Sequence, residues 1–277
     1  MTFVKTAVIK IDMEDSRYSR QILLEEIELE GQRTLERSSV LVIGAGGLGS
    51  PAALYLAAAG VGTIGIMDDD RVSLSNLNRQ ILHATSNIGR RKTESARSRI
   101  AELNPEVKVI THDERLTAEN ALEVVKDYDF VLDCTDQYQN KYLICDTCVL
   151  AHKAYCFGSV LRWGGQLMTY VPGNACYRCV FPEPPGEGEY VETCADAGIV
   201  GAVAGMVGSA QAVEAIKYLT KNHKGLLTNR LLSLDTLKMQ FTIIEVEKDE
   251  NCPLCSEKRS IHEPKDLPPS TCKTRND

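Results

Sequence analysis

Val40-Leu41-Val42-Ile43-Gly44-Ala45-Gly46-Gly47-Leu48-Gly49-Ser50 decides how this chain folds. Residues 40–43 are a short apolar run, β-branched except for one leucine, and read as a strand buried in a parallel sheet. Gly44, Gly46, Gly47 and Gly49 follow as a tight turn. Pro51 stands where the first turn of a helix tolerates proline. The run of alanine and leucine over 52–59 continues that helix to Gly60, a residue suited to closing it. Strand, glycine turn and helix form the first half of a nucleotide-binding βαβ unit. Glycines let the backbone come close to phosphate, and the helix N-terminus favours negative charge. On this stretch alone a structural turn and a nicotinamide or flavin enzyme both stay open. A Walker A loop is excluded, because Ser50-Pro51 follows where Lys-Ser or Lys-Thr is required.

The residues that come next separate the nucleotides. Residues 62–67 predict a second strand, with Asp68, Asp69 and Asp70 at its carboxyl end. Ligands of open α/β sheets bind at that end. Asp68, nearest the strand, is the candidate for the ribose hydroxyls, and Asp69 and Asp70 read as solvated or capping groups. Ser75-Asn76-Leu77-Asn78-Arg79-Gln80 follows, then Arg90-Arg91-Lys92 at the entry of an amphipathic helix over 93–103. A dinucleotide enzyme has no clear need for this density of amide and cationic groups. A nucleoside triphosphate does: attack on its α-phosphate requires neutralised charge and a held pyrophosphate. Arg79 and Lys92 are the candidates for that work, while Arg90 and Arg91 read as a solvated face. Residues 107–111 and 130–134 predict strands three and four. Asp136 lies just beyond strand four, where a carboxylate can hold Mg²⁺ against phosphates. Asp133 is the alternative, and Asp136 can also cap a helix over 138–152. Arg20, just before a helical stretch at 22–24, reads locally as solvated, with a phosphate contact as the other reading.

Composition bounds the rest. The 277 residues can bury a full core, and a net charge of −7 argues against nucleic acid as the main partner. Lys5, Lys10 and Asp12 interrupt the first apolar stretch, which predicts no signal peptide. The uncharged run over 197–213 is too short and mild to span a bilayer. Ten cysteines without an export signal suggest reduced thiols, a metal site or catalysis. Cys176-Tyr177-Arg178-Cys179 and Cys252-Pro253-Leu254-Cys255 are two knuckles, each able to present two thiolates to one tetrahedral Zn²⁺. A redox dithiol is the rival reading. Cys134, Cys145, Cys148 and Cys156 sit in core-like segments and read as packing residues. Cys194 follows a Pro/Gly/Glu-rich loop over 181–190 and lies near a helix start, where thiolate is favoured. Residues 201–219 predict a helix with Gly201, Gly205 and Ser209 along one side for close packing. Residues 231–234 and 241–246 predict strands that complete the sheet and offer an exposed face.

Taken in order, Gly44 to Gly49, Asp68, Ser75 to Gln80, Gly89 to Lys92 and Asp133-Cys134-Thr135-Asp136 resemble the adenylation domain of the ThiF/MoeB/HesA family, related to ubiquitin-activating enzymes. The resemblance implies an α/β fold: a Rossmann-like, mostly parallel sheet with helices on both faces, an antiparallel C-terminal extension and structural zinc knuckles. It divides the chain into an arm over 1–16, an adenylation domain over 17–257 and a polar tail over 258–277, without the rhodanese domain of some relatives. It implies ATP- and Mg²⁺-dependent adenylation of the C-terminal glycine of a ubiquitin-like β-grasp sulfur carrier ending in Gly-Gly. The sulfur then enters thiamine, molybdopterin or tRNA, with a cysteine desulfurase or sulfurtransferase as a further partner. Carried over by position, Gly47, Asp68, Ser75, Asn76, Leu77, Asn78, Arg79, Lys92 and Asp136 form the ATP set, with Asp136 on Mg²⁺. Arg20 matches an arginine that reaches the partner subunit's site in a homodimer. Cys194 matches a cysteine able to bond covalently to the carrier. Cys176, Cys179, Cys252 and Cys255 match a structural zinc site. Gln137 stands where many members have Asn, one methylene shorter. A cytoplasmic enzyme follows, with no nucleic-acid or membrane partner. A nicotinamide-dependent oxidoreductase and a catalytically silent carrier-binding module are the competing readings.

Overall fold

Along the strand Ser39–Ile43 (β1), Val40 and Val42 face one layer of the molecule, and Leu41 and Ile43 face the other. This is the alternation expected of a strand covered on both sides. The structure is a computed structural model and describes residues 17–186 and 194–268. The further strands are Thr63–Met67 (β2), Lys108–His112 (β3), Phe130–Asp133 (β4), Ala154–Leu161 (β5), Gly164–Tyr170 (β6), Arg230–Asp235 (β7) and Gln240–Glu245 (β8). They form one sheet in the order β3-β2-β1-β4-β5-β6-β7-β8. The pairs from β3 to β5 are parallel, and those from β5 to β8 antiparallel. The expected mostly parallel sheet with an antiparallel extension is therefore present.

Helices cover both faces. After the short helices Ser19–Ile22 (α1) and Glu28–Arg37 (α2), helix Gly49–Ala58 (α3) packs on one face with Lys92–Leu103 (α4). The opposite face carries Ala121–Val125 (α5) and Tyr138–Leu150 (α6). Tyr177–Val180 (α7), Cys194–Ala197 (α8) and the long Gly201–Leu219 (α9) complete the set, α9 lying beside α3. The expected strands fall within a residue or two of their places. Helix α4 begins one residue early, at Lys92 itself.

Two segments show detail that the sequence left open. Gly205 makes no close approach within the described chain, where a Cβ would meet nothing within 4 Å, so of the core and dimer-seam readings of this helix side the core one does not hold for it. The close approaches of α9 are at Gly201, over the Asn78 carbonyl, and at Gly208, where a Cβ would lie 2.1 Å from the Leu48 carbonyl oxygen. The polar stretch 258–268 lies against the domain. Ile261 and Leu267 pack on the α6 layer. The Ala118 N–H donates to the Asp266 carboxylate, and the Gln139 side chain donates to the Pro268 carbonyl. Average polarity hid these two apolar anchors. The arm over 1–16 and the tail over 269–277 lie outside the described residues.

Candidate active site

In the order β2-β1-β4, the chain leaves β1 towards β2 on one side and reaches β4 on the other. Ligand crevices of open α/β sheets lie at such a point, outside the carboxyl ends of the strands. A cavity of about 370 Å³ opens there. The glycine turn forms its floor. Gly44 has φ of +97°, a left-handed backbone that only glycine adopts freely, and a Cβ on Gly49 would lie 1.9 Å from the Gly44 carbonyl oxygen. Both glycines shape the turn. Gly46 and Gly47 line the cavity itself.

Asp68 ties the second strand to this turn. Its Oδ2 accepts the Ala45 N–H at 2.8 Å and its Oδ1 accepts the Asp70 N–H at 2.9 Å. Lys92 enters at the head of α4, buried, with Nζ 2.7 Å from Asp70 and 3.5 Å from Asp68. Asp70 is thus exposed, as expected, but ion-paired. The Arg79 guanidinium donates to the Ser75 carbonyl and to the Asn78 and Asn76 side chains at 3.1 to 3.4 Å. Asp136 is exposed at the opposite wall. It does not cap α6, whose N-cap is Gln137 with no side-chain cap. Asp133 is unsuited as the alternative metal ligand. It is fully buried and is taken up by Lys141 at 3.3 Å and by the Thr135 N–H and hydroxyl.

Of the sequence-derived nucleotide set, Gly44, Gly46, Gly47, Asp68, Asn76, Arg79, Lys92, Asp136 and Gln137 line the one cavity. Gly49, Ser75, Leu77 and Asn78 do not, although Ser75 and Asn78 hold Arg79. Arg20 lies elsewhere, exposed beside a groove lined by Leu24, Ile27, Val213 and Ile216. Cys194 opens α8, and its side chain lies outside the described atoms, as do residues 187–193 of the preceding loop.

Sequence reasoning missed His83 and Arg115. His83 is buried beneath the glycine turn: its Nε2–H donates to the Ala45 carbonyl, leaving Nδ1 to accept from the Ser95 hydroxyl, each at 2.9 Å. Burial lowers its pKa below the usual 6.5 and keeps the ring neutral. Arg115 lines the cavity and donates to the Gln137 side-chain carbonyl at 3.0 Å, which gives the longer glutamine a partner. Neither residue stands in a motif; tertiary contacts alone place them.

The two knuckles converge. Sγ atoms of Cys176 and Cys252 are 3.7 Å apart, those of Cys179 and Cys255 3.4 Å, and all four lie within 4.8 Å of one another. Tetrahedral zinc with bonds of about 2.3 Å requires sulfurs roughly 3.8 Å apart. The four thiols therefore fit a zinc ion. Thiolate is the form of cysteine that binds metal, so zinc binding here would release protons. Cys134, Cys145, Cys148 and Cys156 are buried, in keeping with packing roles.

Comparison with known proteins agrees with this architecture. The chain is 46% identical over 262 residues to the Aedes aegypti adenylyltransferase and sulfurtransferase MOCS3, covering 94% of this chain and 60% of that protein. It is 44% identical over 261 residues to the Dictyostelium discoideum protein of the same name, covering 94% and 61%. The chain thus spans about three-fifths of the length of these curated relatives. Among solved structures, E. coli MccB with ATP superposes with a TM-score of 0.75 at 21% identity, over 87% of this chain and 74% of that one. E. coli MccB with MccA-N7isoASN gives 0.77, also at 21% identity, over 88% and 75%. At such identities the superposition shows a shared fold. No described helix is long and apolar enough to cross a membrane. The ThiF family matches residues 18–254, nearly the whole of the described chain, and the chain belongs to that family.

Proposed function

We propose that this chain uses ATP and Mg²⁺ to adenylate the C-terminal glycine carboxylate of a ubiquitin-like β-grasp sulfur carrier. One observation carries the reading. A single cavity at the β1/β4 crevice gathers a glycine turn, three cations, Arg79, Lys92 and Arg115, and the exposed carboxylate of Asp136. The names of the MOCS3 relatives support adenylyl transfer coupled to sulfur transfer.

In this reaction a carrier carboxylate oxygen attacks the α-phosphorus of ATP. The new bond is the acyl–phosphate anhydride, the bond broken is that between the α-phosphorus and the bridging oxygen, and pyrophosphate departs. The nucleophile is already an anion, so no side chain need remove a proton. The protein positions the two anions and stabilises charge as it moves onto the leaving group. N–H groups of the glycine turn and the Lys92 and Arg79 cations do this, while Asp68 accepts from the ribose hydroxyls. Magnesium, held by Asp136, would supply further neutralisation of the phosphates. Arg20, remote from the chain's own cavity, suits a homodimer in which it completes the partner's site.

Carrier-dependent exchange of label between pyrophosphate and ATP tests the reading. Asp136→Ala, at an exposed position, should fold normally and lose exchange at least about 100-fold. Full exchange in that variant would remove Asp136 from the mechanism. Tight NADH binding without ATP binding would favour an oxidoreductase, and carrier capture without exchange a silent binding module.

A further inference from the structure

We propose that Gln80 is a nucleotide-contacting residue whose carboxamide hydrogen-bonds the phosphate nearest the glycine turn, an assignment that rests on the ATP reading above. Gln80 is 95% buried, at 5% exposure, and lines the cavity. Among the described residues its enclosed Oε1 has no hydrogen-bond partner, and none bonds its Nε2. A Cβ on Gly46 would come 3.7 Å from that Nε2. The amide therefore lies directly against the turn, at a position where glycine leaves the approach open.

The neighbouring polar groups of the same segment are already engaged. The Arg79 guanidinium is held by Ser75, Asn76 and Asn78, and His83 is held by Ala45 and Ser95. A carboxamide has two donor hydrogens and an acceptor oxygen, and buried groups of this kind are rarely left unpaired in native proteins. Among the described residues none of that capacity is used. A phosphate on the glycine turn is the partner for the Nε2 hydrogens, which lie against Gly46, and the turn's own N–H groups select an anionic oxygen there; it does not pair the Oε1 acceptor. A phosphate oxygen accepts an N–H from Gln80 without adding charge to the site. Gln80 then orients the phosphate, while Lys92 and Arg79 neutralise it.

The test is calorimetric titration of ATP with Mg²⁺, AMP and adenosine against the wild-type chain, Gln80→Met and Gln80→Glu. Methionine fills the same space without a donor; glutamate puts an acceptor against the phosphate. Both variants should bind ATP and AMP about tenfold or more weakly, glutamate the worse, with adenosine within about twofold of wild type. Gln80→Met should melt no lower than wild type, since it removes an unpaired buried group. Should it melt lower, Gln80→Asn, with its amide one methylene short, is titrated for the same loss. Wild-type ATP affinity in Gln80→Met would make Gln80 a packing residue. An equal loss for adenosine would assign it to the shape of the pocket. Both overturn this proposal alone, whereas a wild-type chain that binds neither ATP nor AMP overturns the adenylation reading as well.

Discussion

Lys92 illustrates how a single side chain is prepared before its ligand arrives. Its ammonium is buried between Asp68 and Asp70, and a phosphate must compete with those carboxylates. Asp70 is 67% exposed, so solvent screens its side of the pair and its restraint on Lys92 is on the order of 1 kcal/mol. Asp70→Asn should therefore tighten ATP binding by no more than roughly fivefold, as read by titration; weaker binding would mean that Asp70 positions Lys92 and does not restrain it. His83 acts from below the turn. Burial lowers its folded pKa beneath 6.5, so between those two values the unfolded chain binds more protons than the native one. Its contribution to stability is complete above 6.5 and is lost as the pH falls through that window. His112 is shifted the same way by burial. Thermal melts at pH 7.5 and 5.5 should show a smaller acid-induced drop in His83→Gln than in wild type, but not its abolition. Asp68, Lys92 and Asp136 were legible in the sequence because each lies just past a strand or at a helix entry. His83 and Arg115 were not, because the atoms that define their roles, the Ala45 carbonyl and the Gln137 amide, come from distant segments.

Helix α9 carries the same lesson at the next scale. Its span could be predicted to the residue, since 201–219 is an unbroken run of helix-compatible residues. Which of its glycines matters could not, because a four-residue spacing describes one helix and close packing involves two. The neighbour is the start of α3, where the Leu48 carbonyl and the Pro51 ring face Gly208. Gly208→Ala places a methyl against backbone that cannot swing aside, and should cost about 1–3 kcal/mol in urea denaturation. The displacement would also move the glycine turn that precedes α3, so ATP affinity should fall with stability. Gly205→Ala meets open space. It should be neutral or stabilising by up to about 1 kcal/mol through helix propensity, with ATP affinity unchanged. Equal losses in the two variants would refute the assignment of the contact to Gly208.

Across the whole molecule, strand order places the chemistry and the cysteine cluster closes the far end of the chain. The four thiols join α7, on the crossover from the sheet, to the segment that follows β8. Cys252 and Leu254 are fully buried, yet the residues from 247 to 251 that lead into them are largely exposed. The segment thus depends on a few anchors: Leu254, Ile261, Leu267, the Asp266 hydrogen bonds and the cluster itself. Metal analysis should find one zinc per chain, and Cys179→Ser, which replaces a half-buried ligand at little steric cost, should abolish it. Because a metal that binds only the folded form stabilises that form, the variant should melt well below wild type, with residues 247–268 becoming the first site of proteolysis. The cavity at the β1/β4 crevice shares no residue with the cluster, so ATP should still bind below the new melting temperature. A zinc-free wild-type chain with unchanged melting and protease resistance would show that packing alone holds the C-terminal segment.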